Sequence, residues 1–192
     1  MWSYDGQSFR SEINVFNSKN KYYHPYDPDN FIVLNNQLLF QLEDGHKLWK
    51  YDEKQTFLVM TLIGSSHKVK EKMIIYQNAL FFRADDGIHG YELWKYDGSD
   101  TFLIADIVRG KKGSNPTDLT IFKNQLYFIA RDNNDRSRHL WKYDGNQVSK
   151  VISDELEKHI RLPKHLVATD DALYFVTDGT DINKEQLWKL IP

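Results

Sequence analysis

The side chains able to do chemistry fall into several sets. Asp85, Asp86, Asp132 and Asp178 recur near one kind of turn and offer oxygen ligands of the sort calcium takes, although no D-x-D-x-D-G loop accompanies them. The turns themselves account for the Asp-Gly pairs equally well. Tyr22, Tyr23, His24 and Tyr26 crowd into "KYYHPYDPDN" at 21–30, and aromatics on a loop suit recognition of a protein or a sugar. The other reading of that stretch is a loop folding its tyrosines back over the body. His46, His89 and His139 stand three, five and two residues before a tryptophan, so they share no column and give no haem or metal pattern. HExxH, GxSxG and phosphate-loop signatures are absent.

These residues are positioned by a repeat. The tryptophans are Trp2, Trp49, Trp94, Trp141 and Trp188, separated by 47, 45, 47 and 47 residues. A second column reads "FIVLNNQLLF" at 31–40, "MIIYQNALFF" at 73–82, "LTIFKNQLYF" at 119–128 and "LVATDDALYF" at 166–175. Each unit predicts four short strands. The first is an apolar run such as Leu119 to Phe122, apolar on both faces as Phe31, Ile32, Val33 and Leu34 are. The polar pair Lys123-Asn124 turns it into the second strand, Leu126 to Ala130. The third carries Leu-Trp-Lys-Tyr, and Asp-Gly turns it into the fourth, for example Phe102 to Ile107. Helical periodicity is weak everywhere, with "SDELEKHI" at 153–160 as the best candidate for a turn or two.

Four-stranded units repeating every 40–50 residues predict an all-β fold, a β-propeller of four blades with four antiparallel strands each. The expectation is one domain over 1–192, with units at about 2–48, 49–93, 94–140 and 141–187 and a closing strand at 187–191. The chain begins and ends in third strands. A fourth strand near Phe9 to Ile13 would then complete the last blade and join the ends, with the Trp2 segment left to fray or pack at the rim. Beginning inside a unit suggests an excised or processed segment, with an intact short protein as the alternative.

In such a ring Asn30, Lys72, Asp118 and His165 precede the innermost strands, one per unit, at the mouth of the channel. Lysine in that set argues against a divalent metal held by all four. No cofactor is predicted, and an ion held by channel carbonyls would leave no trace in sequence. The tryptophan column reads as packing between blades, with a ring of sugar-stacking platforms as the alternative.

The chain resembles the E-L-W-x-x-D-G-T repeats of secreted and surface proteins of bacteria. The fullest match lies at 81–128, where Asp85, Asp86, Gly87, Gly90, Glu92, Leu93 and Trp94 fit a "DDGxxGxELW" hairpin. Asp106, Ile107, Gly110, Gly113, Ser114, Pro116 and Leu119 fit a "DIxPGxxGSxPxxL" connection. Elsewhere the pattern erodes: Lys47, His139 and Gln186 replace the glutamate, and Glu53 replaces the turn glycine seen as Gly6, Gly98 and Gly145. The resemblance implies a β-propeller used for binding or adhesion at the cell surface or outside the cell, and brings no catalytic residue with it. The 47-residue spacing is also similar to that of five-bladed animal lectins.

Composition narrows the partners. A formal net charge of −2 without extended blocks of like charge gives no footprint for nucleic acid. No apolar stretch is long enough to insert in a membrane, and the first residues lack the basic and apolar regions of a signal peptide. The absence of cysteine excludes disulfides and thiolate metal sites. The expected function is therefore a non-enzymatic propeller that recognises a protein or a surface glycan through loops on one face, as a monomer or homodimer. The alternatives are an enzyme, a hydrolase or lyase, at the channel mouth, and a structural segment of a larger adhesin.

Overall fold

The computed structural model describes residues 2–4, 6–11, 29–42, 47–61, 73–133, 137–151, 161–178 and 185–191. Its regular secondary structure is entirely β among these residues, and no helix is long and apolar enough to cross a membrane. The best helical candidate, 153–160, lies outside the described residues. The chain divides into two compact units, Met1–Lys70 and Glu71–Pro192.

The first unit holds β1 (Trp2–Tyr4), β2 (Phe9–Ser11), β3 (Asp29–Leu34), β4 (Gln37–Leu42), β5 (Lys47–Tyr51) and β6 (Thr56–Thr61). Strands β3 to β6 form an antiparallel meander in chain order. Strands β1 and β2 form a separate two-stranded sheet, with Trp2 opposite Ser11 and Tyr4 opposite Phe9. Of the two expectations for the Trp2 segment, fraying or packing at the rim, this sets aside the first, since its backbone groups find partners in β2. Strand β3 is apolar on both faces, but its burial is one-sided. Leu34 is buried, but Phe31 and Val33, on the opposite face of the pleat, are 55% and 61% exposed.

The second unit holds β7 (Ile74–Tyr76), β8 (Ala79–Ala84), β9 (Glu92–Tyr96), β10 (Thr101–Ala105), β11 (Thr117–Phe122), β12 (Gln125–Arg131), β13 (Arg138–Tyr143), β14 (Val148–Lys150), β15 (Arg161–Ala168), β16 (Leu173–Asp178) and β17 (Glu185–Leu190). They make two four-stranded meanders, β7–β10 and β11–β14, and a three-stranded one, β15–β17. The first strands lie side by side, with β11 packed on β7 and on β15.

Local chemistry explains the meanders. Asn35-Asn36, Gln77-Asn78 and Lys123-Asn124 all have positive φ, between 46° and 61°, as the tightest hairpin connection requires. The last sheet departs from this pattern. A four-residue loop, 169–172, joins its first two strands, with Thr169 N donating to Ala172 O at 2.9 Å. After the third strand, the carboxylates of Asp52, Asp97 and Asp144 each accept two backbone amides from the turn that follows. The tyrosine before two of those turns closes them: Tyr96 Oη donates to Gly98 O at 2.6 Å and Tyr143 Oη to Gly145 O at 2.8 Å.

The core of the second unit sits between its sheets. One cluster joins Tyr76, Phe81 and Leu93 to Leu126, Phe128 and Tyr143, and its rings meet edge-on or tilted. The other joins Phe122, Tyr127, Ile129 and Leu140 to Leu166, Leu173 and Phe175. Each fully buried leucine here contributes roughly 2 kcal/mol. Trp141 packs against the first cluster and Trp188 against the second.

Candidate functional site

Strand β9 opens on Glu92, which the fold encloses completely. Its Oε1 accepts from Val108 N at 3.0 Å and Ser114 N at 2.9 Å, and its Oε2 accepts from Ser114 Oγ. Burial pushes its pKa up against these donors, which pull the other way. One carboxylate thus fastens both ends of the connection between β10 and β11. Beside it two backbones cross at a distance that only glycine permits. A Cβ on Gly113 would run into Tyr91 N, and one on Gly90 would stand 2.6 Å from Lys111 O. Asn115 N then donates to Tyr91 O at 2.9 Å, and Arg131 N to Ser114 O at 2.8 Å. The family-like glutamate, glycines and serine are therefore parts of one interlock.

The hairpin before β9 carries the titratable groups with exposure. Asp85 Oδ1 accepts from Gly87 N at 2.7 Å. Asp86 Oδ1 accepts from Ile88 N and His89 N, both at 2.9 Å, and its Oδ2 lies 2.7 Å from His89 Nδ1. Burial raises the Asp86 pKa, but the amides and the imidazole outweigh it and the net shift is downward. The same hydrogen bond raises the pKa of His89. The arrangement favours the protonated form of the His89 ring. The Ser114 hydroxyl, by contrast, is buried on Glu92.

The other acids that sequence offered for calcium are engaged separately. Asp132 pairs with Lys150 at 2.6 Å, and Asp178 accepts from Lys164 at 3.0 Å. Among the described residues no three acidic or histidine side chains group as a metal would need.

The four channel-mouth residues resolve differently. Lys72 lies outside the described residues, as do Tyr22, Tyr23, His24 and Tyr26. In the first unit Asn30 has φ 50° and donates to Gln41 Oε1 at 2.5 Å. In the second, Asp118 has φ 56° and His165 φ 59°. Each lies where the register of a first strand slips. Asp118 Oδ2 accepts from Thr117 Oγ1 and its carbonyl from Thr120 Oγ1, both at 2.9 Å. The column is thus a left-handed bulge, and Asn, Asp and His are the non-glycine residues enriched in that conformation. Sequence held this signal in the residue types themselves.

Packing engages the indoles of the second unit. Trp94 is 8% exposed, and Trp141 lies against its cluster with Lys150 Nζ 6.0 Å from its ring centre. The indoles share no acceptor. Trp141 donates to Ala130 O and Trp188 to Thr177 Oγ1, while Trp49 and Trp94 have none among the described residues. The motif lysine has a steadier role. Lys50 lies over Phe57 and Lys95 over Phe102, each its cross-strand partner, at 5.4 and 5.9 Å. Lys189 takes Tyr174 instead, on the second strand of its three-stranded sheet.

No family model matches the chain, and no curated protein matches it. A solved structure from work on two prolyl endopeptidases, concerned with inter-domain dynamics in their catalysis and specificity, is similar at 14% identity with a TM-score of 0.49. The likeness covers 82% of this chain and 25% of that one, so the chain spans about a quarter of the endopeptidase.

Proposed function

We propose that the chain is a non-enzymatic binding module, a β-propeller that recognises a protein or a surface glycan through loops on one face. The observation that carries this reading is the Glu92 interlock. The glutamate of the best-preserved repeat is enclosed and hydrogen-bonded to its own chain, so in this reading the motif builds architecture and leaves recognition to the connections. An enzyme at the channel mouth would call for carboxylates converging there, whereas Asp118 and Asn30 serve their own bulges. The tyrosines of 21–30 supply the aromatic surface in this reading, and the resemblance favours work at the cell surface or outside the cell. A structural role in a larger adhesin would use the same fold without a ligand.

Ring closure is part of the proposal. The side-by-side first strands β7, β11 and β15 suit blades set radially about an axis, and the last sheet stops at three strands. Strand β2, here paired with β1, is the strand that this proposal would set beside β17, so that the ring would close within one chain. Light scattering after size exclusion tests this: a monomer supports self-closure, and a dimer would replace it with an eight-bladed ring of two chains. Glycan-array and protein-array binding by the chain and by a Tyr22, Tyr23 and Tyr26→Ala variant tests recognition. Binding that survives the triple substitution would remove that loop as the site.

A further inference from the structure

Between Glu92's two anchor points the connection makes a turn at 109–112, Arg-Gly-Lys-Lys. Its backbone is held from several sides. Gly113 N donates to Gly110 O, Arg109 N donates to Asn133 Oδ1, and Asn133 Nδ2 donates to Ile107 O at 2.7 Å. Its side chains are not held. Arg109, Lys111 and Lys112 are exposed and take no ion pair or ring among the described residues, whereas Lys150, Lys164, Lys50, Lys95 and Lys189 all do. Three cations are thus carried on a preorganised turn, which lowers the ordering cost of binding.

The hairpin that crosses this connection adds an apolar element. Ile88, two residues before Gly90, is 65% exposed. Asp85 and Asp86 of that hairpin accept from their own turn, and Asp86 also faces the His89 ring. We propose that the 109–112 turn, together with Ile88, docks a segment of a partner protein that carries acidic and apolar side chains. The cations alone would suit any polyanion. The exposed isoleucine favours a peptide, because a sulfated sugar offers it no aliphatic contact. The inference rests on the reading of the chain as a binding module and names the chemistry of its partner.

The test uses fluorescence anisotropy with the whole chain. The probes are a labelled peptide of alternating Glu and Leu, its Gln/Leu counterpart and a labelled heparin oligosaccharide. The Glu/Leu peptide should bind, weaken with added salt, and lose about tenfold in affinity when Arg109, Lys111 and Lys112 are all changed to Ser. Ile88→Ser should cost about fivefold. A variant with Arg109→Lys, Lys111→Arg and Lys112→Arg keeps the charge and should bind like the parent. Equal binding of the Gln/Leu peptide, indifference to the triple Ser variant, or tighter binding of heparin through the same cations would each overturn the inference. Array binding without peptide binding would overturn it while leaving the proposed function standing. Failure on both would sink both.

Discussion

Glu92 accepts hydrogen bonds from both the amide and the hydroxyl of Ser114, twenty-two residues further along the chain. Together with the Val108 amide, this pair ties the third strand of one sheet to the connection that leads into the next. A buried carboxylate survives in such a place because its donors replace the water that it lost.

Removing the carboxylate should therefore be costly. Glu92→Ala strands the donors at Val108 and the buried Ser114 and should lower unfolding free energy by about 3 kcal/mol, measured by urea denaturation. Glu92→Gln keeps an acceptor and should cost about 1 kcal/mol. The gap between the parent and Glu92→Gln should also depend on pH. A carboxyl whose pKa is raised on folding contributes stability that is present below its ordinary value of 4.5 and lost as pH rises through the folded value. The glutamine variant should compare better with the parent at neutral pH than at pH 4. A gap that widens with pH would refute that sign.

The glycines around the interlock should not be equivalent. Gly90→Ala and Gly113→Ala place a methyl against backbone atoms at φ +66° and +59°, and each should cost about 3 kcal/mol or more. Gly110 has φ +79°, and a methyl there would meet nothing within 4 Å, so Gly110→Ala should cost only about 1 kcal/mol. Thermal melts of the three variants decide between these outcomes.

Glu53 occupies the turn position that other modules give to glycine, and it holds φ 72° there. Glu53→Gly should stabilise the chain by about 1 kcal/mol, since it relieves left-handed strain and surrenders only a 3.5 Å contact with Asn36 Nδ2. A lower melting temperature would show that this contact outweighs the strain.

His89 should titrate above its ordinary value of 6.5 because Asp86 bonds its protonated ring. Its contribution to stability is then present below 6.5 and fades as pH rises through the folded value. NMR titration of the ring should show the raised pKa, and Asp86→Asn should bring it back toward 6.5. An unchanged titration in that variant would mean that the raising charge lies elsewhere.

Much of the fold is legible in the sequence because its causes are local. The pair Lys123-Asn124 announces a hairpin whether or not the rest of the chain is known, and Asp97 or Asp144 binds amides only two and three residues away. The tryptophan spacing marks the modules because each must present the same packing surface. The site is far less legible. Asn30, Asp118 and His165 do form one column, yet their shared property is backbone conformation and not an aimed side chain. The 109–112 cations give no sequence signal, because three charges in four residues look ordinary in a chain that is 27% charged.

The period, the strand order within each module and the turns are thus written in the order of the residues, since all of them follow from contacts between near neighbours. That Glu92 is a buried fastener, that Gly90 and Gly113 mark a crossing of two backbones, and that a basic turn is hydrogen-bonded in place beside them are properties of the folded chain. They depend on segments about twenty residues apart meeting at hydrogen-bonding distance, and that approach is set by the packing of whole sheets.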